Sequence, residues 1–319
     1  MPWLLTPPRF DQHSARWSQS QADDAFSLRK AAEPDEETAR MLSRLADEAM
    51  LGMLGAVEAV FTAVGVSLSR ETLAGLVSIG DRGALERLVS EVWQNVGERG
   101  LRETLIPRMR ALALQAAERT VVPGVAVAFN VADPLALAAI NAVGGAKITA
   151  ISDTTREAVR GIVTRTFNNG LPLAQQIAEI AEVVGLTERQ ALSLSHFRDG
   201  LIEAGEKPGR IETLVERRAT VLRRQRAEMI ARTESMDAVH VGQQEGWRQS
   251  LRDGLFKPGT LQRFWVLGPR PCPLICALIP GMNPDGVGLE IPFQTPKGPL
   301  MHPTAHPRCM CAVIARVAA

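Results

Sequence analysis

Hydrophobic positions recur every three or four residues through most of the first 250 positions, which is the period of amphipathic helices. After Pro34 a run of three acidic residues favours a helix start, and the apolar series then continues to about Val64. Further helices are predicted over residues 70–79, 82–96 and 101–119, with Gly80, Gly97 and Gly100 as their stops. The first half of the chain is therefore predicted to be a helical bundle or array.

The pattern changes near residue 122. Residues 121–130 are apolar and β-branched, which fits a short strand or an extended link. Asp133 and Pro134 then have the residue types of a helix cap and a first-turn position. Later helices are predicted from Asp153 to Phe167 and over 171–184, 187–204 and 208–251, with stops at Gly170 and Gly185 and a break near 205–209 or at Gly242.

Beyond Gly254 the helical period gives way to proline, glycine and short β-like segments over 262–267, 288–293 and 312–317. The predicted fold is mainly α: helical multi-segment N-terminal and central regions, a long helix and a small C-terminal α+β module. The predicted divisions are an extended arm (1–35), an α-helical region (36–121), a second helical domain (122–251) and a small module containing cysteine and histidine (252–319).

Composition narrows the classes of function. The 319 residues carry 36 basic and 35 acidic side chains, so any contact with DNA is expected to be local. The chain has no tyrosine and 4% aromatic residues, which disfavours stacking platforms for single-stranded nucleic acid. The apolar stretch 121–140 is interrupted by prolines, a glycine and an aspartate, and we expect no membrane span.

Soft metal ligands are concentrated in the C-terminal module. All four cysteines lie in the last fifth of the chain, where they favour thiols or a metal over disulfides in a reducing compartment. A tetrahedral zinc needs four ligands, and the preferred set is Cys272, Cys276, His306 and Cys309, with Cys311 as the competitor. The alternative is a cluster of reduced thiols packed in a small core.

The start of the long predicted helix is basic. Residues 206–232 contain eight Arg or Lys and four Glu. Five arginines stand in its middle: Arg217, Arg218, Arg223, Arg224 and Arg226. They predict a face for DNA or for an acidic surface of a partner protein, and the alternative is a solvated face with intrahelical ion pairs.

Catalytic motifs do not emerge from the sequence. Phosphate-binding glycine loops, HExxH, GxSxG and paired acidic metal sites are absent, which argues against an NTPase, zincin, hydrolase or nuclease. Arg232 and Glu234 lack a neighbouring nucleophile or general base, so we expect a structural ion pair that joins the helix to the cysteine module, and Thr233 is expected to bond its own helix. The chain is expected not to be an enzyme.

Several short segments carry a family resemblance. In chain order they are Ile230-Ala231-Arg232-Thr233-Glu234, Trp265, Cys272-x3-Cys276, Gly281, Phe293 and His306-Pro307-Arg308-Cys309-Met310-Cys311. This order and spacing resembles the Mu F-like family of minor head-morphogenesis proteins of tailed bacteriophages. Weaker similarity at Phe129–Leu137 and at 169–172 extends the resemblance to residues 125–315. Arg270-Pro271 before the first cysteine and Met310 between the last two depart from the family pattern.

The resemblance implies a structural minor head protein that associates with the portal and acts in head assembly, genome packaging or DNA delivery. Residues 122–251 would then be the head-morphogenesis domain. The implied partners are the portal protein, the major capsid or scaffold protein and packaged double-stranded DNA. The implied location is the virion, in the head interior or at the portal vertex, after assembly in the host cytoplasm. The alternatives are a DNA-binding internal head protein and an effector or toxin enzyme.

Overall fold

A computed structural model describes residues 33–142 and 145–317 and confirms the predicted mainly α fold. The first helices are α1 Glu33–Ser67, α2 Arg70–Ser78, α3 Arg82–Val92, α4 Arg99–Glu118, α5 Pro134–Asn141, α6 Gly145–Asn168, α7 Leu173–Glu182 and α8 Glu188–Glu203. The long helix α9 is Pro208–Arg252, and a 3-10 turn (Cys276–Leu278) and α10 (Ile279–Met282) follow it. The strands are β1 Leu261–Val266, β2 Val287–Gly288 and β3 Ala312–Val317. The predicted arm lies outside the described residues, except for its last three positions, which begin α1.

Local chemistry sets several of these boundaries. The Asp133 carboxylate accepts hydrogen bonds from the first free backbone N–H groups of α5, as predicted for a helix cap. Thr187 and Gln190 form a reciprocal capping box at the start of α8. Gly170 and Gly185 have positive φ angles of 59° and 80°, a left-handed conformation that ends the preceding helices.

Three predicted helix boundaries are wrong: the stops at Gly97 and Gly100 and the start at Asp153. A π-helical turn, Trp93–Glu98, joins α3 to α4, so neither Gly97 nor Gly100 stops a helix. A Cβ atom at Gly97 would lie 2.8 Å from the Trp93 ring, so this glycine makes room for the indole. Asp153 lies inside α6, where it pairs with Arg156 one turn later, and does not begin a helix. The predicted break near residues 205–209 is confirmed, because α8 ends at Glu203 and α9 begins at Pro208. The alternative position, Gly242, lies inside an unbroken α9.

The long helix crosses α1 and α4 at the centre of the molecule. At the α4 crossing the two backbones approach so closely that a Cβ atom at Gly242 would lie 1.9 Å from the carbonyl oxygen of Ala113. One turn later, a Cβ atom at Gly246 would lie 2.2 Å from the Thr120 hydroxyl oxygen. Gly242 and Gly246 are therefore positions of close contact between α9 and the C-terminal end of α4.

Two hydrophobic cores organise the described residues. The larger core takes side chains from both predicted helical regions, between Leu42 and Val239, and also includes Ala312 of β3. The smaller core lies inside the C-terminal module and includes Trp265, Phe293 and three of the cysteines. Trp247 of α9 belongs to the smaller core, so the long helix contributes to both.

The C-terminal sheet is small and antiparallel, with strand order β2-β1-β3. Phe264 of β1 is paired with Ile314 of β3. Residues 121–130 form an extended link with a single isolated bridge between Val122 and Val125. The Gln249 side chain of α9 holds this link through hydrogen bonds of 2.6 and 3.0 Å to the backbone N–H and carbonyl of Asn130.

One described helix has the length and hydropathy that a membrane span requires. This segment is Glu36–Ser67 of α1, and 39% of its most apolar window is buried inside the fold. Leu42, Val57 and Val64 of this helix are fully buried in the larger core. A core helix of a bundle has the same composition, so its apolar residues already have a structural role here.

Candidate metal centre

Three of the predicted ligands lie together in the C-terminal module. The Cys276 Sγ atom is 3.0 Å from His306 Nε2 and 3.7 Å from Cys309 Sγ. All three ligand atoms lie within 4.8 Å of one another. Cys276 begins the 3-10 turn, whereas His306 and Cys309 belong to one tight turn, closed by a 3.1 Å hydrogen bond from the Cys309 N–H to the His306 carbonyl. The module therefore contains a group of side chains that could hold a metal ion.

The distances suit a tetrahedral ion with sulfur and nitrogen ligands. Two thiolates bound to one zinc at the usual bond length are about 3.8 Å apart, close to the separation of Cys276 and Cys309. A thiolate and an imidazole nitrogen on one zinc are about 3.5 Å apart, so a small rotation of His306 is required. His306 Nδ1 donates to the Pro307 carbonyl at 2.8 Å, which leaves Nε2 as the free ligand atom.

Burial and hydrogen bonding shift the pKa values of the clustered cysteines in different directions. A hydrogen bond from the Cys311 thiol is the main cause that lowers the pKa of Cys309 to about 5. The same hydrogen bond raises the pKa of Cys311 far above its usual value, and burial raises the pKa of Cys276 to about 11. Cys309 is therefore the thiolate of the group, and thiolates are the form that binds metal.

Cys272 and Cys311 were the competing predictions for a fourth ligand. Cys272 is half-exposed and is not one of the three clustered residues. Cys311 is also outside that three-residue group, but it is buried in the same small core as Cys276 and Cys309. Its place in that core favours Cys311 over Cys272 as the fourth ligand.

No protein-family model, curated protein or solved structure matches this chain.

The same cluster contains a thiol next to an imidazole, which in other settings marks a nucleophile. Here the Cys276 side chain is 0% exposed, and its pKa lies above the usual value for cysteine. A buried, protonated thiol has neither the access nor the charge that nucleophilic attack requires, and the Cys309 thiolate lacks access because it is only 1% exposed. The arrangement suits ligation better than catalysis.

The two distant parts of the family-like signature meet in the fold. Thr233 of α9 accepts a 3.1 Å hydrogen bond from the Arg308 N–H, inside the turn that carries His306 and Cys309. The Thr233 hydroxyl also donates to the Met229 carbonyl at 2.7 Å, which confirms the predicted bond to its own helix. Arg232 contacts the Met310 sulfur at 3.1 Å.

The remaining residues of the family-like signature are buried or packed inside the fold. Ile230, Ala231 and Glu234 are buried on α9, and Trp265 packs edge-on against Phe293 with ring centroids 5.4 Å apart. The expected ion pair from Arg232 to the cysteine module is wrong, because its carboxylate partner is Asp47 of α1, at 3.5 Å. Arg232 thus joins three elements, with the salt bridge directed to α1 and the sulfur contact to the module.

The five arginines of the basic segment do not share one surface. Arg226 is 2% exposed and donates to the Ile151 carbonyl and the Thr154 hydroxyl, so its assignment to a DNA or portal surface is corrected. Arg223 is half-buried and donates to the Glu182 carbonyl, while Arg224 pairs with Glu58 and Glu228. Arg217 and Arg218 are exposed, and the Arg218 guanidinium lies over the Phe197 ring. The surface that remains for a polyanion is smaller than predicted.

Sequence reasoning missed Arg263, a fully buried residue of β1 at the centre of the module. Its guanidinium donates to the Gln244 side chain and to the carbonyls of Gly288, Ile291 and Met301, and it lies 5.2 Å from the centroid of the Phe293 ring. Burial lowers its pKa to about 10, so it stays charged at neutral pH. The available signal was the period of the strand, which places Arg263 on the same buried face as Leu261 and Trp265.

Proposed function

We propose that this protein is a structural minor head protein of a tailed bacteriophage, associated with the portal and acting in head assembly or genome delivery. The observation that carries the proposal is the contact between residues 230–234 and 306–311, the two most specific parts of the family-like signature. Segments more than 70 positions apart have complementary contacts, as expected if the signature describes one structural unit. The proposed role is non-enzymatic, and surfaces of the folded protein perform it.

Co-purification with the portal protein of the same phage tests this role. A tagged protein should retain the portal through purification, and mature particles should contain it in low copy number. Retention of double-stranded DNA without portal, lost as salt is raised, would instead support a free DNA-binding head protein. Absence from virions together with no portal association would contradict the proposal.

We further propose that Cys276, His306, Cys309 and Cys311 hold a structural zinc ion. The loop-rich module has only a small core, and a metal supplies cross-links that such a core lacks. Bound zinc would join the 3-10 turn of Cys276 to the His306–Cys309 turn and to the start of β3. Its chemistry at this site would be structural, because a four-ligand set leaves no open position for substrate.

Two cysteine variants separate the competing fourth ligands. We expect purified protein to contain about one zinc per chain, the C311S variant to lose most of it, and the C272S variant to keep it. Metal content by mass spectrometry, with thermal unfolding before and after chelation, provides the measurement. Zinc lost from C272S and retained by C311S would restore Cys272 as the fourth ligand. A wild-type protein without zinc would contradict the metal site and support the alternative, a cluster of reduced thiols packed in a small core.

A further inference from the structure

Residues 308–311 carry two of the proposed zinc ligands. The long helix α9 contacts this segment at both of the segment's ends. At one end the Arg308 N–H donates to Thr233 at 3.1 Å. At the other end His240 Nε2 lies 3.1 Å from the Cys311 carbonyl oxygen, and because a carbonyl only accepts, the imidazole is the donor. Cys309 lies between these two anchored positions.

The spacing of the helix matches the spacing of the segment. Thr233 and His240 are seven residues apart, so they share one face of α9 at a separation of about 10.5 Å along its axis. Residues 308 to 311 span about 10 Å when extended. The two side chains are thus placed to hold the segment along the helix. Met310, between Arg308 and Cys311 on the segment, contacts Arg232, the residue before Thr233 on the helix.

The helix is well suited to impose a fixed geometry on the segment. Around Thr233 and His240 its side chains belong to the larger core, including Ile230, Ala231 and Val239. Arg308 has a φ of 61°, an uncommon conformation for a residue with a side chain, and the bond to Thr233 fixes its N–H in this turn. The turn is therefore held both by its own Cys309 N–H bond to the His306 carbonyl and by a contact from outside the module.

We infer that Thr233 and His240 are positioning residues for the metal centre, holding the 308–311 segment so that the Cys309 and Cys311 sulfurs are in place before an ion binds. This inference rests on the proposed zinc site and assigns part of its affinity to α9. Residues outside the ligand set that orient metal ligands change affinity by about 10- to 100-fold when they are removed. The family-like motif on α9 then has a chemical role in the site, although it contributes no ligand.

The T233V variant tests the inference because valine keeps the shape of threonine and removes the hydroxyl. We expect zinc affinity, measured by competition with a chelating dye, to fall by about 10- to 100-fold. The T233S variant keeps the hydroxyl and should restore affinity. The absorption bands of bound cobalt, which report ligand geometry, should be altered in T233V and normal in T233S.

Thr220 provides the matched control. It lies on the same helix and makes the same bond to the carbonyl four residues earlier, at 2.9 Å from Glu216, but it is exposed. T220V should bind zinc as the wild type does. Equal affinity in T233V and T220V would overturn this inference and leave the metal centre intact, whereas a wild-type protein that binds neither zinc nor cobalt would overturn both.

Discussion

Replacing Gly242 with alanine is expected to lower the free energy of unfolding by about 3 kcal/mol, at the upper end of the usual cost of overpacking. The added Cβ atom would lie 1.9 Å from the Ala113 carbonyl oxygen and 2.7 Å from the carbonyl carbon. Both are backbone atoms, so no side-chain rotation relieves the clash and the two helices must separate. Urea denaturation followed by circular dichroism measures the change.

Gly209 supplies the control on the same helix. No atom lies within 4 Å of the position a Cβ would take there. In a helix, alanine lowers the conformational entropy of the unfolded chain relative to glycine, so G209A should be neutral or stabilising by about 0.5–1 kcal/mol. A G242A protein as stable as G209A would show that α9 and α4 do not cross closely at this position.

Replacing Arg263 with lysine should loosen the C-terminal module while the helices stay folded. Lysine keeps the charge but lacks the planar set of donors that bonds the Gly288, Ile291 and Met301 carbonyls. Losing bonds from a buried charged group should cost about 3 kcal/mol of local stability. Hydrogen exchange across residues 288–301 should therefore accelerate about a hundredfold, since each factor of ten corresponds to about 1.4 kcal/mol.

The R316K variant is the comparison for this experiment. Arg316 lies on the neighbouring strand β3, is exposed and has its guanidinium over the Phe264 ring, 5.2 Å from the centroid. Its replacement should leave the exchange of residues 288–301 close to that of the wild type. Similar exchange in R263K and R316K would mean that the buried network does not hold the module together.

Local chemistry explains why the helices were predictable. Asp133 caps its helix and Gly170 ends one through interactions within a few residues, and such signals are complete in the sequence. The long helix α9 was likewise predictable from the three- to four-residue spacing of its own apolar residues. The mainly α fold with one long helix and a small C-terminal sheet followed from these signals.

Glycine was the main source of error because its two structural uses look alike in a sequence. It ends helices where φ is positive, as at Gly80, and it also allows close approach inside a helix, as at Gly97 and Gly242. The partner decides between the two uses, and here the partners are the Trp93 ring and the Ala113 backbone. Neither partner can be identified from local sequence.

The candidate site was predicted in part. Residue type and clustering identified Cys276, His306 and Cys309, but the fourth position depends on which thiol turns toward the cluster. Among the arginines, Arg226 is seven positions from Ala219 and four from Ile230, which places it on the buried stripe of the helix. Charge alone assigned it to the surface, and the helical period would have corrected that assignment.

The contact between α1 and β3 has a consequence for synthesis on the ribosome. Ala312 packs into the same core as Leu42, so the N-terminal helix gains its last apolar neighbours only after some 270 further residues have been translated. Until then, part of α1's apolar surface stays open to other nascent chains and to chaperones. Premature termination ahead of residue 312 should therefore yield polypeptides that aggregate through their N-terminal helix, although every residue of that helix is present.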